Sequence, residues 1–175
     1  MDAKFKVDLE PLQAREYLSK KENWLHIIPG VSTGTIQVFD KVKDWSLQAP
    51  NGGLTYSFSN ISSSNENDEA VSYSYKVGVT GKTSGLPVSF NFLVKYNFIR
   101  EEDGCGVQRT VTDLSVNACS CISCMILSSL KSGLLKENTN MKNNMCSIKQ
   151  KMNGGTTTYQ KALKVLNTEL LQNRV

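Results

Sequence analysis

VSFNFLVKYNF, residues 88–98, decides the fold. Val88, Phe90, Phe92, Val94, Tyr96 and Phe98 occupy every second position with Ser89, Asn91, Lys95 and Asn97 between them, a period-two pattern that predicts a strand with one apolar face. The same period continues in both directions. Toward the N-terminus, Val71, Tyr73, Tyr75, Val77 and Val79 form a second alternating run. Leu54, Tyr56 and Phe58, then Trp45, Leu47 and Ala49, then Ile36 and Val38, form three more, separated by Pro50-Asn51-Gly52-Gly53 and by Lys41 to Asp44. The polar stretch Ile61 to Glu69 is expected to be an exposed loop tip, and Thr80 to Pro87 a turn. Toward the C-terminus, Glu101-Glu102-Asp103-Gly104 predicts a tight turn and Val107 to Val116 the last strand. Its pattern puts Arg109 and Asp113 on the face of Val107 and Val111.

Two further regions frame these strands. Phe5, Val7 and Leu9 alternate with charged residues in a short first strand, and Pro11 opens a short helix that runs to about Lys21. Trp24 to Gly30 is an apolar knot closed by Pro29-Gly30, read as a short second helix or tight corner. Beyond Ser120 the period becomes helical: Ile122, Ile126, Leu130 and Leu134 step by four, and the stripe resumes at Met141, Met145, Ile148 and Met152 after the polar patch Lys136 to Asn140. One long or broken helix fits. Asn153-Gly154-Gly155 ends it, Thr156 or Thr157 can cap the next, and Tyr159, Leu163, Leu166 and Leu170 trace a final amphipathic helix.

The expected fold is therefore α+β: a seven-stranded curved antiparallel sheet gripping a long C-terminal helix, with an extra C-terminal helix. Residues 1–152 form the domain and 153–175 a helical extension. A curved sheet around one helix leaves a pocket between them unless large side chains plug it.

Composition narrows the function classes. At 175 residues, 39% hydrophobic and 21% charged, the chain has the size and balance of one globular domain. A bilayer-spanning helix needs roughly 20 apolar residues, and the best run, Ile122 to Leu130, is broken by Ser123, Ser128 and Ser129. Met1 to Glu10 lacks an apolar signal core, so a cytoplasmic location is expected. Residues 1–119 carry 12 basic and 14 acidic groups, whereas 120–175 carry 8 and 2. Lys131, Lys136, Lys142, Lys149, Lys161 and Lys164 read first as a solvated helix face, with peripheral contact to an anionic membrane as the alternative. Tyr159 is the lone aromatic of that third, which speaks against stacking on nucleic acid. Cys105, Cys119, Cys121, Cys124 and Cys146 are odd in number, so free thiols are expected. Cys119, Cys121 and Cys124 lack a nearby fourth ligand for structural zinc and read as packed side chains at a strand-to-helix junction. No metal or other cofactor is expected.

The order of elements, the corner ending in Ile28-Pro29-Gly30-Val31, and the strand Gly106-Val-Gln-Arg-Thr-Val-Thr112 carry a resemblance. The chain resembles the START-like, or Bet v 1-like (SRPBCC), helix-grip superfamily over residues 4–152. The resemblance implies binding of a hydrophobic small molecule or lipid between sheet and helix. Two departures stand out: Asn51-Gly52-Gly53 is a plain turn where the allergen branch has a glycine-rich loop, and the helix after Thr156 exceeds the usual ending.

The residues point the same way. Eight of the 14 aromatics fall between Tyr56 and Phe98, most of them alternating along strands. The expected pocket wall is Trp45, Tyr56, Tyr73, Tyr75, Phe90, Phe92, Ile126 and Leu130; periodicity alone leaves open whether that interior is hollow or filled. Catalysis ranks below binding. His26 reads as a structural corner residue, and the candidate acid–base groups of a polyketide cyclase or dehydratase are Arg109 and Asp113, four apart on one strand face. A third reading is an interaction module with a filled pocket, docking through its C-terminal helices.

Overall fold

The chain folds as β1 (Asp2–Val7), α1 (Pro11–Ser19), a 3-10 turn (Lys21–Asn23), α2 (Trp24–Ile27), and strands β2 (Thr35–Val38), β3 (Trp45–Gln48), β4 (Thr55–Asn67), β5 (Ala70–Thr83), β6 (Leu86–Glu101) and β7 (Gly104–Asn117). Two helices follow, α3 (Ser120–Asn153) and α4 (Tyr159–Gln172). The computed structural model describes residues 1–39, 44–50, 53–67, 69–83, 85–117, 120–154 and 158–172. Strands pair antiparallel in the order β1-β7-β6-β5-β4-β3-β2, so β1 and β2 are free edges and the curved sheet stays open. The α+β class, the seven strands and the long helix after Ser120 are those expected.

Two local readings change, at 61–67 and at 80–87, and the choice between one long and one broken helix after Ser120 is settled. Residues 61–67 are strand, because β4 runs to Asn67 and β5 begins at Ala70. Serine there lacks the apolar alternation that marks a strand, but cross-strand hydroxyls pair instead: Ser62 with Ser74 at 2.7 Å and Ser64 with Ser72 at 2.8 Å. The stretch 80–87 is also mostly strand, with β5 ending at Thr83 and β6 starting at Leu86. α3 is one unbroken helix of 34 residues, since its polar patch is carried on the helix without interrupting it. Lys41 to Lys43, Asn51, Gly52 and the cap candidates Thr156 and Thr157 lie outside the described residues; the Lys161 N–H reaches the Thr158 hydroxyl at 3.4 Å at the start of α4.

The sheet register shifts at three places, one of them between Asn65 and Asn67 in β4, and the other two carry a residue with positive φ. Between Ser59 and Ser62 the β4–β5 register shifts, with Asn60 at φ +52°. Between Asn91 and Leu93 the β6–β7 register shifts, with Asp113 at φ +54° on the bulged strand. At the opposite end of β7, Gly104 has φ +127°, and a Cβ there would run into the Val7 carbonyl, so only glycine lets β7 turn in beside β1.

The core lies between the concave face of the sheet and the helices. Val7, Leu9, Tyr17, Leu18, Tyr96, Phe98, Met141, Met145 and Ile148 are fully buried. α4 belongs to the same core through Tyr159, Ala162, Leu163 and Leu166. Polar contacts also tie it to neighbouring elements: Lys20 donates to Gln160 at 2.9 Å, Asn167 to Asn23 at 3.3 Å, and Lys151 to Glu169 at 2.8 Å. Among the described residues, no helix is long and apolar enough to cross a membrane.

Candidate functional site

Toward its C-terminal end α3 rests directly on packed side chains; toward its N-terminal end it stands off the sheet and roofs a cavity of about 430 Å³. Alternation builds the sheet wall. Tyr56 and Phe58 come from β4, Tyr75, Val77 and Val79 from β5, and Val88, Phe90 and Phe92 from β6. The helix contributes Met125, Ile126, Leu130 and Leu134, and the corner between α2 and β2 contributes Ile28 and Pro29 beside Trp24. The valines leave the space that larger side chains would fill. Gly133 adds to it, since a Cβ there meets nothing within 4 Å.

One end of this apolar hollow is polar. Arg109 of β7 is 2% exposed, and its Nη2 lies 2.7 Å from Glu137 Oε2 of α3. Nη1 donates to the Leu134 carbonyl at 3.3 Å and to Asn138 Oδ1 at 3.0 Å, while Nε is buried without a partner. The guanidinium also sits 5.5 Å from the centre of the Tyr96 ring. Burial works to lower its pKa, but Tyr96, Glu137 and Tyr75 together hold it above its ordinary value, so Arg109 stays charged. Around it the phenols stay neutral. Burial and then the Glu137 carboxylate push Tyr56 up to about 12. Burial, and next Tyr96, hold Tyr75 well above its ordinary value. The Tyr75 hydroxyl donates to Tyr96 at 3.4 Å, and the Tyr96 hydroxyl to the Met141 sulfur at 3.7 Å.

Of the expected wall, Tyr56, Tyr75, Phe90, Phe92, Ile126 and Leu130 line the cavity, and Trp45 and Tyr73 do not. Trp45 stacks on Phe58 at 4.0 Å and 5°, paired to it across β3 and β4, and so flanks the wall on the same sheet face without reaching the cavity. Tyr73 packs against Tyr75 at 5.6 Å, buried beyond the cavity. The pairing of Arg109 with Asp113 is not formed. The bulge at Asp113 shifts the face, leaving Arg109 and Val111 buried and Asp113 exposed. The carboxylate that Arg109 does meet is Glu137, in the polar patch of α3. Trp24, Phe58 and Gly133 also line the wall, and of these Phe58 alone carries a signal in the sequence, its alternation with Tyr56.

Among the described residues the thiols form no cluster. Cys119 and the Cys121 side chain lie outside the described residues, and Cys124 is exposed, against the expected packing. Cys105 is buried, and burial, then Glu101 and Glu10, push its thiol up to about 12. Among the described residues no group of three potential metal ligands comes together. His26 is half-buried on α2, away from the cavity wall.

No family model matches the chain, and no curated protein matches its sequence. Solved structures do resemble it in shape. A conserved protein from Geobacillus kaustophilus superposes with a TM-score of 0.62 at 10% identity, covering 82% of this chain and 93% of the other. Protein Ms6760 from Mycobacterium smegmatis gives a TM-score of 0.48 at 10% identity, covering 81% and 87%. At such identities the likeness is one of fold alone.

Proposed function

We propose that this chain is a helix-grip ligand-binding protein, similar in kind to the START-like and Bet v 1-like proteins, that holds a hydrophobic small molecule or lipid beneath the N-terminal half of α3. The observation that carries the reading is the continuous cavity of about 430 Å³, walled by aromatic and valine side chains and roofed by Ile126 and Leu130. That volume lies within the usual range of small-molecule sites, and walls of this composition favour an apolar body with few polar contacts. Binding outranks catalysis because the proposed acid–base partner of Arg109 is on the outside of the bulge.

Native mass spectrometry of the protein purified from its own source tests this, together with titration of a fluorescent apolar probe. A bound small molecule, or saturable probe binding lost in Gly133→Phe without loss of helicity, supports the reading. A bare mass with no probe binding removes it. The exposed Lys131, Lys136, Lys142, Lys161 and Lys164 support a companion proposal, peripheral contact with an anionic membrane from which the ligand is drawn. Salt-sensitive cosedimentation with phosphatidylserine vesicles supports it, and equal partition to neutral vesicles contradicts it.

A further inference from the structure

An arginine in a greasy cavity invites the assumption that the ligand is an acid, and the local geometry points the other way. Three of the five N–H donors of Arg109 are engaged, both on Nη1 by the Leu134 carbonyl and Asn138 and one on Nη2 by Glu137, whose carboxylate also offsets the guanidinium charge. Its remaining nitrogen, Nε, is buried. Glu137 is the group left over. Oε2 meets Arg109 at 2.7 Å, whereas Oε1 has no hydrogen-bond partner among the described residues, and 13% of the side chain remains open where it lines the cavity. Beside it stands the half-buried Tyr56, whose hydroxyl has no partner among the described residues and feels the Glu137 charge. The cavity therefore presents a carboxylate oxygen with a free lone pair and a phenol, surrounded by carbon.

Resting on the ligand-binding reading above, we infer that Glu137 and Tyr56 select a ligand whose polar end is a neutral hydrogen-bond donor, a hydroxyl on an apolar body, and that the site rejects carboxylates such as fatty-acid anions. A ligand hydroxyl donates to Glu137 Oε1 and accepts from Tyr56, filling both vacant valences at once. A ligand carboxylate lies beside Glu137, which already balances the charge of Arg109, so the added anion is uncompensated, and like charges in apolar surroundings repel strongly. A ligand ammonium satisfies Oε1 but stands next to the Arg109 charge after losing its hydration.

A matched fluorescent series tests this: 1-methylpyrene, 1-pyrenemethanol, 1-pyrenemethylamine and 1-pyrenecarboxylate, titrated at neutral pH into the wild type, Tyr56→Phe and the charge-free Arg109→Met/Glu137→Leu. In the wild type the alcohol is expected to bind about tenfold tighter than methylpyrene, the gain of one hydrogen bond to a charged group, and the carboxylate more weakly than methylpyrene. Tyr56→Phe lowers the alcohol-to-methylpyrene ratio, and the charge-free variant brings it to about one. Carboxylate or amine as the tightest ligand of the wild type overturns the inference, as does an alcohol preference that survives in the charge-free variant. Failure of methylpyrene itself to bind is a different result: it removes the cavity reading beneath the inference. Should the charge-free variant not fold, the wild-type ranking and Tyr56→Phe still decide.

Discussion

Along α3, the residues after Glu137 and those before Gly133 face the same concave sheet, yet one half is solid and the other hollow. Met141, Met145 and Ile148 are fully buried, and Asn144 donates to the Tyr17 hydroxyl at 2.9 Å and Asn140 to the Ile27 carbonyl at 3.0 Å. Met125 at the other end is 71% exposed, and Leu130 is half-buried above empty space. The difference lies in what stands opposite and behind. The solid half meets Tyr96 and Phe98 and is backed by β1, α1 and α4; the hollow half meets Val77, Val79 and Val88, with the corner at Trp24, Ile28 and Pro29 at its side. A hydrophobic stripe of one spacing thus serves stability at one end and leaves room for a ligand at the other. The Arg109–Glu137 pair marks the boundary.

The largest expected effect is at that boundary. Arg109→Met alone strands the Glu137 carboxylate and is expected to destabilise by about 3–5 kcal/mol, whereas adding Glu137→Leu restores most of the loss. Urea unfolding of both variants checks this, and equal midpoints contradict a buried pair. Next comes truncation on each side. Ile148→Ala is expected to cost about 2–5 kcal/mol, the range for a fully packed aliphatic residue. Leu130→Ala, already beside a void, is expected to cost clearly less than Ile148→Ala in the same urea titration. Equal losses would mean that the N-terminal half is packed as tightly as the other.

Smaller still is Gly133→Ala. A helix-interior glycine with open space around it is expected to gain about 1 kcal/mol on acquiring a methyl group, read as a raised thermal midpoint. A loss instead would place a neighbour against it.

The smallest effect is absent at neutral pH. All six tyrosines are held above their usual value of 10, in each case first by burial, with Tyr56 and Tyr73 pushed up to about 12. Because the folded pKa values are the higher ones, the folded state keeps these protons and the unfolded chain loses them first. Stability is therefore expected to be flat below pH 10 and to fall as pH rises from 10 through 12. Tyrosinate absorbance tracked with helicity checks it; tyrosinate appearing near pH 10 in the folded protein contradicts it.

Much of this contrast was legible from residues alone. Strict alternation at Val88 to Phe98 and at Val71 to Val79 marks the central strands, and the step of four from Ile126 to Leu134 marks the helix that faces them. Those two periods put Tyr56, Tyr75, Phe90, Phe92, Ile126 and Leu130 on opposing surfaces before any distance is known. What periodicity does not carry is extent. Trp45 and Tyr73 have the right face but lie beside the cavity, because a sheet's inward side is shared by the cavity and the packing around it. Asp113 shows a second limit. One extra residue in a strand reverses its facing, and a bulge at a non-glycine leaves no mark in the pattern. Glu137 shows a third: a polar residue on the inward face of a helix reads as an interruption unless its partner, here 28 residues away on β7, is known. The serine strand at 61–67 hides for a related reason, since hydroxyl pairs replace the apolar signal.

The central claim, a hollow confined to one half of the sheet–helix interface, is tested most directly by methyl NMR of the protein titrated with 1-methylpyrene. Resonances of Ile126, Leu130, Val77, Val79 and Val88 are expected to shift to saturation, while those of Met141, Met145 and Ile148 stay in place. Shifts at Met141, Met145 and Ile148, or none at the first group at saturating probe, would contradict it.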